Sequence, residues 1–293
     1  MNCLGLGGTE RQLVELLRSV DRSRFDSDLC VINQVGELVP VVRSLGFSPT
    51  SFHLKGTLFR PNTAVQVARL AKRIRDEHAA LVHCHDFYSN LLGSAAARLA
   101  GVPYIVSRRD LGAWIGPARA EALKFATRFA PTVLCNAEAI RERIVDHEGV
   151  DASRVVVVRN GLDLERFDRE AAQAIAPPLP MLDGEGPIVV VVGNMKHAVK
   201  GHAELLVAAH QVVRAVPECR FLLVGDGELR PELERAARTL GLGDAALFPG
   251  ERADVPALLS RCAAAVSAST SEGLSNAVME AMAAALPVVA TRV

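Results

Sequence analysis

Two glutamates eight residues apart, Glu272 and Glu280, bracket the segment Ser271-Glu272-Gly273-Leu274-Ser275-Asn276-Ala277-Val278-Met279-Glu280. The segment follows an apolar run and opens a helical pattern. Gly273 and Ser275 mark the turn, and Ser275 or Asn276 can cap the helix. Eight helical residues rise roughly 12 Å, on the order of the distance from the sugar to the ribose of a nucleotide-sugar. Carboxylates so spaced can each accept hydrogen bonds from a hydroxyl pair, and the N–H groups at Gly273, Leu274 and Ser275 can face an anion or a sugar oxygen. On spacing alone the plainer alternative is the stronger one: Glu272 caps a turn and Glu280 is a surface helix residue.

A second candidate is Gly193-Asn194-Met195-Lys196-His197-Ala198-Val199-Lys200-Gly201-His202, directly after the apolar run Ile188–Val192. Ligands of open α/β sheets bind at the carboxyl ends of strands. Gly193 permits close backbone approach, and Lys196 and Lys200 offer charge to a diphosphate; a solvated loop with two ordinary lysines is as good a reading. In Gly225-Asp226-Gly227, Gly225 can admit a base or ribose or can simply turn the chain. Gly7-Gly8-Thr9-Glu10 opens the first helix, where backbone amides, that of Gly8 included, can meet a phosphate or an acceptor. His83 and His85 alternate onto one face at a strand end, before Asp86. No third ligand accompanies them, so a polar active-site His85 is favoured over a metal site. Arg108-Arg109-Asp110 follows the next strand and is expected to face the same cleft, unless it is only a salt-bridged loop.

Lys plus Arg and Asp plus Glu are equal at 33 each, which removes electrostatic support for general nucleic-acid binding. The six cysteines form no C-x-x-C pair and read as reduced thiols of a cytoplasmic protein. Neither a secretory leader nor an apolar run of membrane-spanning length is present, which leaves peripheral contact at the inner membrane surface open. The glycines make no G-x-G-x-x-G fingerprint and no G-K-[ST] loop, against a dinucleotide oxidoreductase and a P-loop kinase.

These residues need strands to end beside one another. Strands are expected at 28–33, 80–84, 103–107, 132–136 and 155–158, and, beyond a Pro- and Gly-rich stretch, at 188–192, 220–224, 246–248, 263–267 and 288–291, with helices between them. Residues 174–187 carry four prolines and two glycines, a linker signature. The expected organisation is therefore a first domain over 1–173, a linker over 174–187 and a second domain over 188–293, both doubly wound α/β units with parallel sheets facing across a cleft. No strand precedes the first helix and the chain stops after a β-run, so it reads as a fragment cut at both ends. The first domain is expected to lack a strand and to expose apolar helix surface around residues 13–20.

Together these motifs resemble glycosyltransferase family 4, of GT-B fold and retaining stereochemistry. The resemblance runs from Gly7-Gly8-Thr9-Glu10 through His83-Cys84-His85-Asp86, Asn160-Gly161-Leu162-Asp163, Lys200-Gly201-His202, Gly225-Asp226-Gly227 and Glu272 with Glu280 to Pro287-Val288-Val289-Ala290-Thr291. It implies transfer of a sugar from a nucleoside-diphosphate-sugar to a hydroxyl of a saccharide or lipid-linked saccharide, without a metal or other cofactor. It implies that Glu272 contacts the donor sugar, Glu280 the ribose and Lys200 the diphosphate, while His85 lies near the transferred sugar. Gly8, Asn194, Lys196, Gly225, Gly273, Leu274 and Ser275 complete the expected donor site, and Glu10 and Arg109 stand on the acceptor side. One departure is plain: where the family usually has arginine after the glycine, this chain has Asn194 in a loop one residue longer, with Lys196 to supply the charge. The alternatives are a nucleotide-sugar epimerase of the same architecture, for which Glu10 and Asp110 are available carboxylates, and a degenerate fragment that only binds nucleotide.

Overall fold

The computed structural model describes residues 1–54, 61–112 and 115–293. It divides into two compact units, Met1–Gly161 and Leu162–Val293.

The first unit contains α1 (Gly8–Ser19), β1 (Cys30–Val31), α2 (Val39–Ser44), β2 (Thr50–Ser51), α3 (Pro61–Asp76), β3 (Val82–Cys84), α4 (Phe87–Ala100), β4 (Tyr104–Arg108), α5 (Pro117–Arg128), β5 (Thr132–Cys135), α6 (Glu138–Glu142) and β6 (Val155–Val157). Strands β3-β4-β5-β6 form a parallel sheet in that order, and β1 and β2 form a separate parallel pair. Beside β1, the N–H groups of Ile32 and Asn33 donate to the carbonyls of Met1 and Asn2 at 2.9 and 2.8 Å. Leu13, Val14 and Leu17 of α1 are buried with Leu4, Val31, Val42 and Phe47. The expected bare apolar surface around residues 13–20 is thus largely covered, because residues 1–4 and α2 pack onto it.

The second unit contains α7 (Leu164–Ala171), β7 (Ile188–Val192), α8 (His202–Ala215), β8 (Arg220–Val224), α9 (Arg230–Thr239), β9 (Ala246–Gly250), α10 (Val255–Leu259), β10 (Ala264–Ser267), α11 (Asn276–Ala283) and β11 (Val288–Ala290). Its sheet is wholly parallel, in the order β11-β10-β7-β8-β9. Ile188 and Val190 point into one buried layer with α10 and α11, and Val191 into the other with α8 and α9. Burial on both faces is why β7 and β8 read as unbroken apolar runs.

The boundary differs from the expected one. Residues 162–187 belong to the compact second unit rather than to the first domain and a linker. Phe167 of α7 is 2% exposed within the core that holds Leu258 and Leu259, a burial worth about 1.5–3 kcal/mol. The Pro-rich segment is tied down as well. Ala176 N–H donates to Asp254 at 3.0 Å, Arg252 donates to the Pro177 carbonyl at 2.9 Å, and Leu182 is buried.

Candidate functional site

In the second unit, β7 lies between β10 and β8, so the chain reverses its winding direction there. The carboxyl ends of β7 and β10 flank that switch point, where open parallel sheets bind ligands. Three loops converge on it through glycines. Gly225 has φ +144°, and a Cβ there would stand 2.0 Å from the Gly193 carbonyl oxygen. Gly201 has φ +66°, and a Cβ would stand 2.0 Å from the Ala268 oxygen. Only glycine allows both the conformation and the approach. Thr270 N–H closes the same seam by donating to the Val199 carbonyl at 2.8 Å.

This packing brings Lys200 and Glu272 together. Lys200 Nζ donates to Glu272 Oε1, and Ser269 Oγ donates to the same oxygen at 2.8 Å. The two side chains are 26% and 20% exposed, so the pair is shielded yet reachable from solvent. His202, buried at the start of α8, donates from Nε2 to the Asn194 carbonyl at 3.2 Å and braces the loop; burial lowers its pKa. Asn194 and Lys196 are exposed on that loop, where the Asn194 side chain accepts from Lys196 N–H at 3.3 Å. Met195 between them is fully buried and anchors the turn. Ser275 caps α11 by accepting from Val278 N–H at 3.4 Å. Gly273 and Leu274 lie in the turn before it, and Glu280 is half-buried on α11. The expected rise over eight helical residues does not apply: α11 begins at Asn276, so only its first residues separate Glu280 from the turn that carries Glu272.

In the first unit, the carboxyl ends of β3 to β6 gather His83, His85, Arg109, Asn136 and Asn160. The rings of His83 and His85 lie 3.9 Å apart, and His83 Nε2 meets Ser107 Oγ at 2.8 Å. Asn90 donates to the Ser107 carbonyl at 2.8 Å. Arg109 Nη1 donates to Asn160 Oδ1 at 3.1 Å, and Asn136 donates to the same oxygen at 3.3 Å. Burial, then Arg109 and the N-terminal ammonium, push the His83 pKa down to about 4. Burial, then His83 and Arg109, hold His85 well below the usual histidine range.

Three motif residues take structural roles. Asp86 caps α4 in a reciprocal arrangement with Ser89 and accepts from Asn2 N–H at 2.5 Å. Arg108 does not face the edge that carries Arg109: β4 runs through it, and alternation sends its guanidinium to Glu148, at 2.8 and 2.9 Å, and Thr127. Asp110 accepts from Gly112 N–H at 2.7 Å. At the start of α1, which begins at Gly8, the Glu10 carboxylate lies over Gly7: a Cβ there would stand 2.3 Å from Glu10 Oε2. Ser269, Asn90, Ser107 and Asn136 were not picked out from sequence. Asn136 and Ser269 sit just past strand ends, which is the one signal that could have marked them. Among the described residues no three His, Cys, Asp or Glu gather to hold a metal ion, and no helix is long and apolar enough to cross a membrane.

The histidines give a testable acid response. His83 is kept neutral by folding, so the unfolded chain takes up the proton first as pH falls. Stability is complete above about pH 6.5 and declines towards pH 4. Between pH 8 and pH 5 His83 alone is expected to cost about 2 kcal/mol, with His85 and His202 acting in the same direction. Urea unfolding of wild type and His83→Asn at the two pH values checks this; an equal acid loss in both would remove His83 as its source.

The family model described as Glycosyltransferase Family 4 matches residues 6–166, and that described as Glycosyl transferases group 1 matches residues 186–293. The Escherichia coli UDP-Gal:alpha-D-GlcNAc-diphosphoundecaprenol alpha-1,3-galactosyltransferase is 26% identical over 304 residues, covering 98% of this chain and 77% of that protein. The alpha-D-kanosaminyltransferase of Streptomyces kanamyceticus is 30% identical over 246 residues, covering 76% of this chain and 62% of its own length. The crystal structure of Anabaena HepE in complex with UDP and glucose superposes with a TM-score of 0.81 at 21% identity, over 99% of this chain and 78% of that one. The architecture is thus the GT-B fold of two Rossmann-like units. With the first family model spanning more than half of the 293 residues, the chain belongs to Glycosyltransferase Family 4.

Proposed function

We propose that the chain transfers a sugar from a uridine-diphosphate-sugar to a hydroxyl of a saccharide or lipid-linked saccharide, with retention of anomeric configuration. The observation that carries this reading is the Lys200, Glu272 and Ser269 cluster at the switch point of the second sheet. The uridine base is favoured by the E. coli relative, whose name specifies UDP-Gal, and by HepE, crystallised with UDP and glucose. Lys200 neutralises the diphosphate as it leaves. A diphosphate competes with Glu272 for that ammonium and so turns the carboxylate towards the sugar hydroxyls. Glu280 accepts from the ribose hydroxyls. Asn194, Lys196, Gly225 and the turn Gly273-Leu274-Ser275 complete the donor pocket, with Lys196 supplying the second cation. His85, kept neutral by burial, orients the transferred sugar through a hydrogen bond and carries no proton away. The departing phosphate oxygen takes the proton of the acceptor hydroxyl, so no protein base and no metal ion is required. Gly8 serves the donor, and Glu10 and Arg109 stand on the acceptor side.

The test is a thermal-shift series with UDP, GDP and ADP. A ligand at a hundred times its Kd stabilises by about 2.7 kcal/mol, and UDP is expected to give the largest shift. Glu280→Ala is expected to weaken UDP binding by about 2 kcal/mol, the range of a hydrogen bond to a charged group. A folded Glu280→Ala protein with wild-type UDP affinity would falsify the ribose assignment, and a wild-type chain indifferent to all three nucleotides would remove the donor reading. The anomeric proton coupling of the product, read by NMR at early times, decides retention.

A further inference from the structure

Arginines drawn out of water in this chain commonly meet a carboxylate. Arg108 meets Glu148, Arg252 meets Asp254, and Arg230 meets Asp226 and Glu234. Arg109 does not. It is half-buried at the carboxyl end of β4, and among the described residues its hydrogen-bond partner is a neutral amide oxygen, Asn160 Oδ1, at 3.1 Å. Its Nε is buried with no partner. The nearest carboxylates in sequence are engaged elsewhere: Asp110 accepts from Gly112 N–H, and Asp86 caps α4. The N-terminal ammonium and Arg109 both depress His83, and burial lowers Arg109 itself, with no anion among the described residues acting against it.

A guanidinium that loses water without gaining a counter-charge is a costly feature, because desolvating an ion is repaid only by an opposite charge in good geometry. The fold nevertheless holds it rigidly. Asn160 Oδ1 is fixed by Arg109 and by Asn136, which is 2% exposed. The position is also the one at which parallel sheets present ligands: β4 is the neighbour of β3, which leads into His85, and both carboxyl ends lie on the same edge. The planar fork of a guanidinium matches two oxygens of a phosphate.

We propose that Arg109, braced by Asn160, forms a phosphate subsite of the first unit that binds a phosphoryl group of a bound substrate on the sheet edge that carries His85. The phosphate is that of a phosphate-bearing acceptor. The glycosyl-transfer reading is needed only to name that carrier; the anion subsite itself stands on the geometry of the first unit.

The experiment uses the full chain and two probes, inorganic phosphate and UDP, with histidine NMR and calorimetry as readouts. An anion beside Arg109 offsets its field, so saturating phosphate is expected to raise the His83 pKa in the wild-type protein by at least half a unit (about a threefold or larger change in proton affinity). In Arg109→Gln the His83 pKa is expected to be already raised and no longer to respond to phosphate. Arg109→Lys is expected to keep the response at weaker affinity. UDP affinity is expected to be unchanged by Arg109→Gln while the phosphate response is lost. A tenfold loss of UDP affinity in Arg109→Gln overturns the assignment to the acceptor, and a wild-type His83 that ignores phosphate overturns the proposal. Failure of the wild-type chain to bind UDP overturns only the donor reading and leaves the phosphate measurement intact.

Discussion

Lys200→Ala is expected to weaken binding of UDP by about 3 kcal/mol, a factor of roughly 150, and to leave uridine binding nearly unchanged. The asymmetry follows from what Lys200 offers. Its ammonium sits at the switch point, its stem passes Gly193, and its charge is aimed at phosphate rather than at a base or ribose. Gly201 and Thr270 fix the backbone on either side of the pair, so the substitution removes a charge without freeing the loop. Calorimetric titration of both ligands into wild type and Lys200→Ala checks this. Equal losses for uridine and UDP would mean that Lys200 works through folding, and Lys200→Arg would then fail to restore the phosphate preference. Lys196→Ala run in parallel tests the second cation. Lys196 is exposed, so a smaller loss is expected.

The largest stability effect is expected at Glu148. Its carboxylate holds Arg108 through two hydrogen bonds at 2.8 and 2.9 Å, and the two side chains are 12% and 5% exposed. Removing one member strands a buried charge, which costs about 3–5 kcal/mol. Thr127 Oγ1, at 3.1 Å from Arg108, is the remaining partner and cannot replace a carboxylate. Urea unfolding of Glu148→Ala and of Arg108→Met with Glu148→Leu separates two meanings. A large loss in the single variant with recovery in the double one shows a buried pair. A loss under about 1 kcal/mol in the single variant shows that water reaches Arg108. The pair bears on function because Arg108 ends the strand that aims Arg109.

The second sheet was readable where burial is two-sided. Ile188–Val192 and Arg220–Val224 have the bounds that their apolar runs suggest, because nothing in a strand covered on both faces interrupts hydrophobicity. Short elements were not readable. β2 is two residues, Thr50–Ser51, and exists through pairing with β1. α7 shows one buried apolar side chain, Phe167, among charged neighbours, too little periodicity to mark a helix. Composition placed the boundary at a Pro- and Gly-rich stretch instead. Such composition signals irregular backbone and is silent on whether that backbone packs, as residues 174–187 do against α10.

The sequence by itself determined the family, the two successive β/α series and the motif residues at their strand ends, because these depend on residue type, periodicity and short spacing. It marked Glu272 and Lys200 separately but gave no sign that they meet, since they stand 72 positions apart. That contact was decided by the strand order, which sets β7 beside β10, and by glycines that let three loops touch. Likewise Arg108 and Arg109 are the same residue type in adjacent positions. Only the pleat of β4 and the placement of Glu148 make the first a buried structural ion and the second a cation that meets no carboxylate among the described residues. Sequence reports which groups a chain carries; the partner each group has when it leaves water is a property of contacts far apart along the chain.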